Sequence, residues 1–580
     1  MATSTQTTKE KKEQQKTKTI NGAQAVIQSL INEDVKTIFG YPGGAIMPIY
    51  DALYQNGSKL KHILTRHEQG ATHSAQGFAK TSGKPGIVFA TSGPGSTNLV
   101  TGLSNAMVDS TPIICITGQV HSQLLGFDAF QETDIVGISM PVTKWNYQVT
   151  KAEEIPEAIA KAFYIATSGR PGPVLIDITK DAQLQDFENF EYKKITKVPS
   201  YYPYPKLNME MLREAANLIN NAKKPLILAG QGITISDAEE ELKTFVNKTG
   251  IPVAATLFGL TAFPSRHPLF VGMLGMHGNY APNIKTNEAD LIIAIGMRFD
   301  DRVTGDTSRY ATNAKIIHIE IDAAEIDKII KTDVAVLSDA KKALIKLNEL
   351  VQKNNFDKWL TEFRELENIE IKTVINLDIY PKGDEIKMAE VVHEVSEQTN
   401  GEAIAVTDVG QNQMMAARYY KFASPKSIVT SGGLGTMGFG IPAAIGAQLG
   451  RPDRQTVVFV GDGGFQMTIQ ELATIWHYKI PIKIILLNNS CLGMVRQWQQ
   501  LFFDKRYACT IMTNPDFIKI SEGFGLEAKK ITEREDLKKS VSKMLEAEGP
   551  YLLEVAVEKI DNVFPMVPGG ASVSEMMLKA

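Results

Sequence analysis

Two apolar runs in this sequence are each followed by a side chain that can bind a metal ion. Residues 457–465 read VVFVGDGGF, in which Asp462 follows a run suited to a buried strand, and Asn489 follows the run IKIILLN. Ligands of parallel sheets bind beyond the carboxyl ends of the strands, so the two side chains can meet at one point. A carboxylate and an amide oxygen suit Mg²⁺, which completes its octahedron with phosphate oxygens and water.

The glycines after Asp462 indicate what such a cation would hold. Gly463 and Gly464 allow backbone N–H groups to approach a phosphate, and the N-terminus of a following helix favours an anion. The pattern therefore predicts a Mg²⁺–diphosphate site. The alternative is a tight strand-to-helix turn in which Asp462 and Asn489 only cap helices. Neither motif taken singly decides between the two interpretations.

An earlier segment repeats this pattern without the acid. Residues 86–119 also read as an apolar strand, a glycine turn, a helix, a proline and a second apolar strand. Ser92 occupies the place of Asp462, and Gln119 occupies that of Asn489. The general similarity of strand–helix–strand units explains the shared pattern. It does not explain the acid, because the same turn can be built with a serine.

Apolar runs that alternate with helical patterns must position these residues. The runs are GIVFA, PIICITG, VLIDI, PLILAG, LIIAIG, IIHIEI, IAVTD, TVVFVG, IKIILLN and YLLEVAV. Such alternation is typical of parallel sheets that carry helices on both faces. The predicted fold class is α/β, with three doubly wound parallel-sheet domains of which the first and third are related.

Two stretches rich in tyrosine, proline and charge interrupt the alternation and read as linkers between domains. The predicted division is a disordered tail 1–19, a first domain 20–185, a linker 186–206, a middle domain 207–352, a linker 353–385, a third domain 386–560 and a C-terminal tail 561–580. A chain of 580 residues is too long for one core, and three units of this size are near the usual domain length.

The bulk composition excludes several classes of protein. A net charge of -4 gives no reason to expect nucleic acid or an anionic membrane as a partner. The three cysteines share no close spacing, so neither a disulfide framework nor a thiolate metal site is predicted. The lysine-rich N-terminus lacks the apolar segment of a secretory signal, and no stretch has the length of a membrane span. We expect a cytoplasmic location.

The spacing of GDG and NN, together with the turn RHEQGA at 66–71, resembles the signature of thiamine-diphosphate enzymes. The resemblance implies that the third domain binds the diphosphate, with Asp462, Asn489 and the backbone carbonyl of Cys491 on Mg²⁺. It implies that the first domain binds the pyrimidine. There Glu68 would hydrogen-bond the cofactor ring and promote ionisation at its C2 carbon, a task that favours an apolar setting. The neighbouring His67 and His73 are expected to serve packing.

Further motifs narrow the resemblance to the catalytic subunits of acetohydroxyacid synthases (acetolactate synthases), over about residues 20 to 570. They are GYPGGA at 40–45, TSGPG at 91–95, DAFQE at 128–132, SGRPGPVLIDITKD at 168–181, MLGMHGN at 273–279, RFDDRVTG at 298–305, SGGLGTMGFG at 431–440 and LGMVRQWQ at 492–499. The resemblance implies further cofactor contacts from Gln411, Gly435, Thr436 and Met437. It implies that catalysis and the substrate or inhibitor channel involve Gln131, Lys180, Ala45, His121, Phe130, Met494, Val495, Trp498, Asp301 and Arg302.

The middle domain resembles the FAD-bearing form of this family. Its turn LILAGQGI has only Gly230 and Gly232 of a dinucleotide fingerprint, and by itself a plain strand turn explains it better. An acid at the end of IIHIEI suits a ribose hydroxyl. The resemblance implies FAD contacts from Arg170, Gly230, Gly232, Thr256, Leu257, Leu274, Gly275, Met276, His277, Gly296, Arg298, Asp300, Glu320 and Asp339. The flavin is expected to have no net redox role.

The activity implied is decarboxylation of pyruvate on thiamine diphosphate and transfer of the hydroxyethyl unit to a second ketoacid. With pyruvate the product is 2-acetolactate, and with 2-oxobutyrate it is 2-aceto-2-hydroxybutyrate, as in branched-chain amino-acid biosynthesis. A homodimer or homotetramer is expected, because the two domains that bind one cofactor come from different subunits in this family. A small regulatory subunit is a candidate further partner.

Two rival functions stay open on the sequence. A pyruvate oxidase-type FAD oxidoreductase has the same fold, although RFDDRVTG and LGMVRQWQ favour the synthase. A structural or regulatory homologue without cofactors is disfavoured, because Glu68, Asp462 and Asn489 are all present. Acetolactate formation, flavin reduction and cofactor binding separate the three.

Overall fold

The computed structural model describes residues 19–579, so the predicted N-terminal tail lies almost wholly outside the described residues. Three six-stranded sheets dominate the chain, and every neighbouring pair of strands within them is parallel. The α/β prediction is confirmed. Each of the apolar runs that we quoted forms a strand, and nearly all of their residues are buried.

The first domain contains a parallel sheet and a small antiparallel pair, β1 with β8. Its strands are β1 (Ile20–Asn21), β2 (Thr37–Gly40), β3 (Lys61–Leu64), β4 (Gly86–Ala90), β5 (Ile113–Gln119), β6 (Trp145–Val149), β7 (Val174–Thr179) and β8 (Asp186–Phe187). Its helices are α1 (Gly22–Asn32), α2 (Met47–Tyr54), α3 (Glu68–Ser82), α4 (Pro94–Thr97), α5 (Val100–Val108), α6 (Ile135–Ser139), α7 (Ile155–Thr167) and α8 (Lys180–Leu184).

The middle domain alternates strands and helices around its own core. Its strands are β9 (Pro225–Ala229), β10 (Val253–Ala255), β11 (Phe270–Met273), β12 (Leu291–Ile295), β13 (Lys315–Glu320) and β14 (Val334–Leu337). Its helices are α9 (Met209–Asn221), α10 (Gln231–Ile235), α11 (Glu239–Thr249), α12 (Tyr280–Glu288), α13 (Asp301–Thr304) and α14 (Ala340–Leu350). The connection to the third domain holds α15 (Asp357–Glu370), a π-helical turn (Ile371–Ile375) and α16 (Asn376–Ile379).

The third domain repeats the layout of the first. Its strands are β15 (Ile404–Thr407), β16 (Ile428–Val429), β17 (Thr456–Gly461), β18 (Lys483–Asn488), β19 (Glu527–Ile531) and β20 (Tyr551–Ala556). Its helices are α17 (Met388–Gln398), α18 (Gln411–Tyr419), α19 (Gly440–Gly450), α20 (Asp462–Met467), α21 (Leu472–Tyr478), α22 (Gly493–Phe502), α23 (Phe517–Gly523) and α24 (Leu537–Glu546). Within residues 19–579, none of the helices combines the length and apolar character needed to cross a bilayer.

Strand order relates the first and third domains and sets the middle one apart. The first sheet runs β3-β2-β4-β5-β7-β6 and the third runs β16-β15-β17-β18-β20-β19, which is the same order when strands are counted from the start of each sheet. The predicted relation between these domains is thereby confirmed. The middle sheet runs β11-β10-β9-β12-β13-β14, the 3-2-1-4-5-6 order of dinucleotide-binding folds.

Helix α3 of the first domain packs directly against helix α19 of the third domain. An added Cβ at Gly77 would lie 2.0 Å from the carbonyl oxygen of Ala443, and one at Gly446 would lie 1.7 Å from that of Ser74. Glycines at these two positions let the helix backbones touch. A single apolar core accordingly extends through both domains on this side.

The two predicted linkers differ in structure. After β8, residues 188–208 have no helix or strand. The second linker is largely helical, because Trp359 and Phe363 lie one turn apart on α15 and insert into the core of the middle domain. The C-terminal tail also packs on that domain, where Val567 donates a backbone hydrogen bond to Met276 at 2.8 Å. The domain boundaries themselves stay a prediction.

A buried ion pair connects the second linker to the middle and third domains. Arg418 of α18 and Glu370 of α15 lie 2.6 Å apart, with each side chain 1% exposed. Arg418 also donates to the carbonyl of Gly278, and Glu370 accepts from the side chain of Asn279. The two charged side chains therefore fix the loop that links β11 to α12 where it meets α15 and α18.

We expect Glu370→Ala to destabilise the fold by about 3–5 kcal/mol, because it leaves the guanidinium of Arg418 buried without a counter-ion. Glu575→Ala is the matched control, since Glu575 pairs with Arg309 at the surface and each side chain is about half exposed. The control should cost no more than about 1 kcal/mol. Urea unfolding followed by circular dichroism measures both, and equal shifts of the midpoint would contradict the prediction.

Candidate functional site

The turn after β17 places a carboxylate in a buried position. Asp462 begins α20, is 1% exposed and accepts a hydrogen bond from the side chain of Asn514 at 2.6 Å. Burial raises the pKa of Asp462, and hydrogen bonds from Asn514 and from the backbone of Gly463 oppose that rise. Asn514 also donates to Asn488 Oδ1 at 2.9 Å, which places the carboxylate beside the end of β18.

The end of β18 supplies the second predicted metal ligand. The side-chain nitrogen of Asn489 donates to Gln411 Oε1 at 3.1 Å, and Asn489 Oδ1 accepts from the backbone of Cys491 at 3.3 Å. The charge on Asp462 contributes to a raised pKa of the Cys491 thiol, although burial is the larger cause. The structure thus brings Asp462, Asn489, Cys491 and Gln411 together beyond the carboxyl ends of β17 and β18.

The residues around Asp462 and Asn489 suit a divalent cation. Among residues 19–579, Asp462 forms no ion pair, although a carboxylate so deeply buried is costly without a counter-charge. The same part of the chain holds no cluster of three His, Cys, Asp or Glu side chains. The predicted ligand set has one carboxylate, one amide and one backbone carbonyl, and so does not require such a cluster. Mg²⁺ with few protein ligands suits such a set.

A second buried acid organises the glycine-rich turn at 435–440. Asp408 follows β15 and accepts backbone hydrogen bonds from Gly438 at 3.1 Å and Gly440 at 2.8 Å. A Cβ at Gly464 would lie 2.1 Å from Asp408 Oδ1, so that glycine is required by close approach. Across the turn, a Cβ at Gly463 would lie 3.5 Å from the terminal carbon of Met437. The predicted cofactor contacts Met437 and Gly463 are therefore neighbours.

The first domain presents Glu68 at the start of α3. It is 9% exposed, and its Oε2 accepts from the side chain of Asn98 at 2.9 Å. Gly95 lies against Oε1, because a Cβ there would be 3.3 Å away. His67 caps the helix by accepting from Gln69, which is consistent with a packing role for this histidine. The setting is enclosed, as the predicted function of Glu68 requires.

The remaining first-domain candidates lie along the carboxyl edge of the same sheet. Ala45 donates its backbone N–H to Thr91 at 3.2 Å, and the backbone of Gln131 packs on Gly93. The Thr91–Gly95 turn thus lies between Ala45, Gln131 and Glu68. Farther along this edge are three exposed side chains, and they are Phe130, His121 and Lys180.

A large cavity of about 710 Å³ lies between the middle domain and the other two. Every predicted FAD contact except Gly230 lines it, and these are Arg170, Gly232, Thr256, Leu257, Leu274, Gly275, Met276, His277, Gly296, Arg298, Asp300, Glu320 and Asp339. Four predicted channel residues also line it, namely Asp301, Arg302, Met494 and Trp498. Val495 is half exposed and does not. A cavity of this volume suits a cofactor.

The cavity opens at the point where the strand order of the middle sheet reverses. Strands β9 and β12 are neighbours there, and their glycine turns are pressed together. A Cβ at Gly230 would lie 2.2 Å from the carbonyl oxygen of Gly296, and one at Gly232 would lie 2.6 Å from the Gly296 Cα. Gly230 therefore serves the packing of the two turns. Reversal points of this kind are where such folds bind dinucleotides.

Charged groups line the cavity at defined points. Burial raises the pKa of Glu320, at the end of β13, to about 7. Arg170 donates to Asp322 at 3.1 Å and to Glu325 at 2.7 Å, so its charge is fixed by two acids. Burial lowers the pKa of His277 to about 4, which leaves this imidazole neutral at physiological pH. The cavity therefore offers acceptors for hydroxyl groups next to a fixed cation.

Sequence reasoning missed several residues of this region. Asn98 and Asn514 contact the two key acids, and no motif marks either of them. Asp408 could have been found, because it follows the apolar run of β15 as Asp462 follows that of β17. Glu471 of the third domain accepts from the backbone of Arg66, and burial raises its pKa to about 6. Its position explains the glycine of RHEQGA, since a Cβ at position 70 would clash with it.

Family models match all three domains. They are the thiamine pyrophosphate enzyme N-terminal TPP binding domain over residues 20–138, the central domain over residues 212–347 and the C-terminal TPP binding domain over residues 408–555. The chain is a thiamine-diphosphate-dependent enzyme by this criterion. The strand orders of the three sheets agree with it.

Individual relatives cover nearly the whole chain. The acetolactate synthase large subunit of Lactococcus lactis subsp. lactis is 45% identical over 568 residues, which are 97% of this chain and 96% of the relative. The acetolactate synthase isozyme 2 large subunit of Escherichia coli is 44% identical over 97% of this chain and 100% of its own length. Acetolactate synthase 2, chloroplastic, of Nicotiana tabacum is 45% identical over 96% and 85%. The chain belongs to the acetolactate synthase large-subunit family of thiamine pyrophosphate enzymes.

Proposed function

We propose that this chain makes 2-acetolactate from two molecules of pyruvate, and 2-aceto-2-hydroxybutyrate when 2-oxobutyrate is the second ketoacid. The observation that carries the proposal is the buried carboxylate of Asp462, which has no ion-pair partner among residues 19–579 and lies close to Asn489, so that a cation there would supply the missing counter-charge. The names of the relatives supply the reaction. In this proposal Mg²⁺ binds to Asp462, Asn489 and the carbonyl of Cys491.

Thiamine diphosphate, when bound, supplies the electron sink for decarboxylation of a 2-ketoacid. The residues of the chain hold and orient the reactants. Glu68 Oε2 is already occupied by Asn98, and among residues 19–579 no group donates to its Oε1, so that oxygen is available to a ring nitrogen. Lys180 and Arg302 contribute exposed positive charge that suits the carboxylate of a ketoacid.

We further propose that the large cavity holds FAD. Its volume of about 710 Å³, its place at the strand-order reversal and the acid of Glu320 at the end of β13 support this assignment. Met494 and Trp498 line the same cavity and would place the second ketoacid near the flavin side. The flavin would then shape the site without taking part in electron transfer.

A second copy of the chain would complete the site. The most extensive intrachain contact between the first and third domains is that of α3 with α19, and Glu68 has its side-chain partner within its own domain. The segment 121–140 exposes large apolar side chains that suit burial against another subunit, namely Leu124, Phe127, Phe130, Ile138 and Met140. We propose at least a homodimer on these grounds. A small regulatory subunit remains a candidate further partner.

The rival function is a pyruvate oxidase-type oxidoreductase, in which the flavin accepts electrons. The purified full chain should be yellow and should form acetolactate from pyruvate alone. Under anaerobic conditions with pyruvate, its flavin absorbance should persist. Bleaching of the flavin without acetolactate would favour the oxidase, and a colourless protein that binds no thiamine diphosphate would contradict both functions.

The affinity for FAD should depend on pH through Glu320. Its pKa of about 7 means that the carboxylate is ionised above that value, where it is the better acceptor for a ribose hydroxyl. We therefore expect FAD to bind more weakly as the pH falls from 8 to 6. His277 stays neutral between pH 6 and 8, so it does not contribute to the change of FAD affinity with pH. Flavin fluorescence titrations of wild type and of Glu320→Gln measure the effect, and an equal slope in both would contradict it.

A further inference from the structure

A buried ion pair lies where all three domains meet. Lys80, near the end of α3, is 3.3 Å from Asp109, which follows α5, and their side chains are 7% and 0% exposed. Lys80 also donates to the carbonyl of Thr430 at 3.1 Å. Its ammonium group lies 4.3 Å from the ring centroid of Phe258 in the middle domain. None of the sequence motifs assigns a role to this pair.

Asp109 uses its carboxylate to hold a loop of the third domain. Its Oδ1 accepts from the backbone N–H of Gly433 at 2.8 Å, and its Oδ2 accepts from that of Gly432 at 3.4 Å. A Cβ at Gly433 would lie 2.2 Å from the side chain of Val108, so the loop is pressed on the end of α5. One turn earlier, Asn105 accepts from the hydroxyl of Thr436 at 3.2 Å.

The loop held in this way, residues 430–437, borders both cofactor regions. Gly432 and Gly433 line the large cavity, together with Phe258 and with Gln231, which donates to the carbonyl of Asp109 at 3.1 Å. The same loop continues into Gly435, Thr436 and Met437, the predicted thiamine diphosphate contacts. One carboxylate therefore fixes backbone that faces two ligands.

We propose that Asp109, with Lys80 as its counter-charge, is a positioning residue that holds loop 430–437 in the place that both FAD and thiamine diphosphate require. The inference rests on the proposed function, because it takes FAD as the ligand of the large cavity. Loss of the oxygen that accepts from Gly433 should weaken binding of both cofactors. If the ion pair were purely structural, removing it would lower the stability of the fold but would leave the affinities for FAD and for thiamine diphosphate unchanged.

The test compares two neutral versions of the pair in the full chain freed of cofactors. Lys80→Met with Asp109→Asn keeps an acceptor oxygen for Gly433, whereas Lys80→Met with Asp109→Leu has none. We expect the first double variant to bind each cofactor within about threefold of wild type, and the second to lose about tenfold or more for each. Flavin fluorescence and titration calorimetry with thiamine diphosphate and Mg²⁺ give the affinities separately.

Wild-type affinity for both cofactors in the variant with Leu, or loss of affinity for only one, would overturn the inference. A wild-type chain that binds no FAD would instead contradict the proposed function. If the variant with Leu does not fold, hydrogen exchange in the wild type decides. The Gly433 amide should be protected at least about a hundredfold without cofactors, and exchange at the rate of an unstructured peptide would equally overturn the inference.

Discussion

Glu68→Gln should lower the rate of acetolactate formation by about 10²- to 10⁴-fold, the range that proton transfer by a positioned side chain contributes. The change keeps the size of the side chain and the contact with Asn98, but it removes the charge that holds a proton at the cofactor ring. Binding of thiamine diphosphate should weaken much less, because Mg²⁺ and the third domain hold the diphosphate. Initial rates with saturating cofactor measure the loss.

Glu471→Gln is the matched control for this prediction. Glu471 is more deeply buried than Glu68, lies beside the same turn and accepts from the backbone of Arg66. Burial raises its pKa to about 6, so a neutral side chain of equal size should be tolerated there. We expect its rate to stay within about threefold of wild type. Equal losses in the two variants would mean that Glu68 acts only through packing.

The sequence was sufficient to predict the strands and the place of the metal ligands. Each buried parallel strand is an apolar run with a turn at its carboxyl end, and Asp462 and Asn489 follow two such runs. Their meeting point follows from the geometry of parallel sheets alone. The same rule applies to Asp408, because the run IAVTD ends in this acid directly after β15.

Other parts of the site depend on contacts between distant segments, which no local pattern encodes. Asn514 reaches Asp462 from a loop without regular structure, and Asp109 reaches Gly433 across a domain boundary. The helices of the second linker were not predicted, because its tyrosine, proline and charge content is typical of a linker and the apolar pair Trp359 and Phe363 spans only one helical turn. Strand order, which distinguishes the middle domain from its neighbours, is likewise a tertiary property.

Two buried acids of the third domain should respond in opposite ways to the same substitution. Asp408 accepts three backbone hydrogen bonds, from Val409, Gly438 and Gly440. These bonds within the fold stabilise its negative charge. Asp408→Asn should therefore destabilise the cofactor-free chain, by about 1–3 kcal/mol for a lost acceptor. Neither acid has an ion-pair partner among residues 19–579, but Asp462 accepts only one backbone hydrogen bond, from Gly463, and one from the side chain of Asn514. More of the free-energy cost of burying Asp462 is therefore left for a bound cation to offset.

Asp462→Asn should accordingly leave the cofactor-free chain at least as stable as wild type while it abolishes function. We expect the affinity for thiamine diphosphate in Mg²⁺ to fall by more than about a hundredfold, since even residues that only support a metal ligand change affinity 10- to 100-fold. Asn514→Ala, which removes such a support, should fall within that smaller range. Thermal unfolding without cofactors and calorimetric titration with them separate stability from binding. If Asp462→Asn destabilised the free chain as Asp408→Asn does, the carboxylate would belong to the fold and the metal assignment would fail.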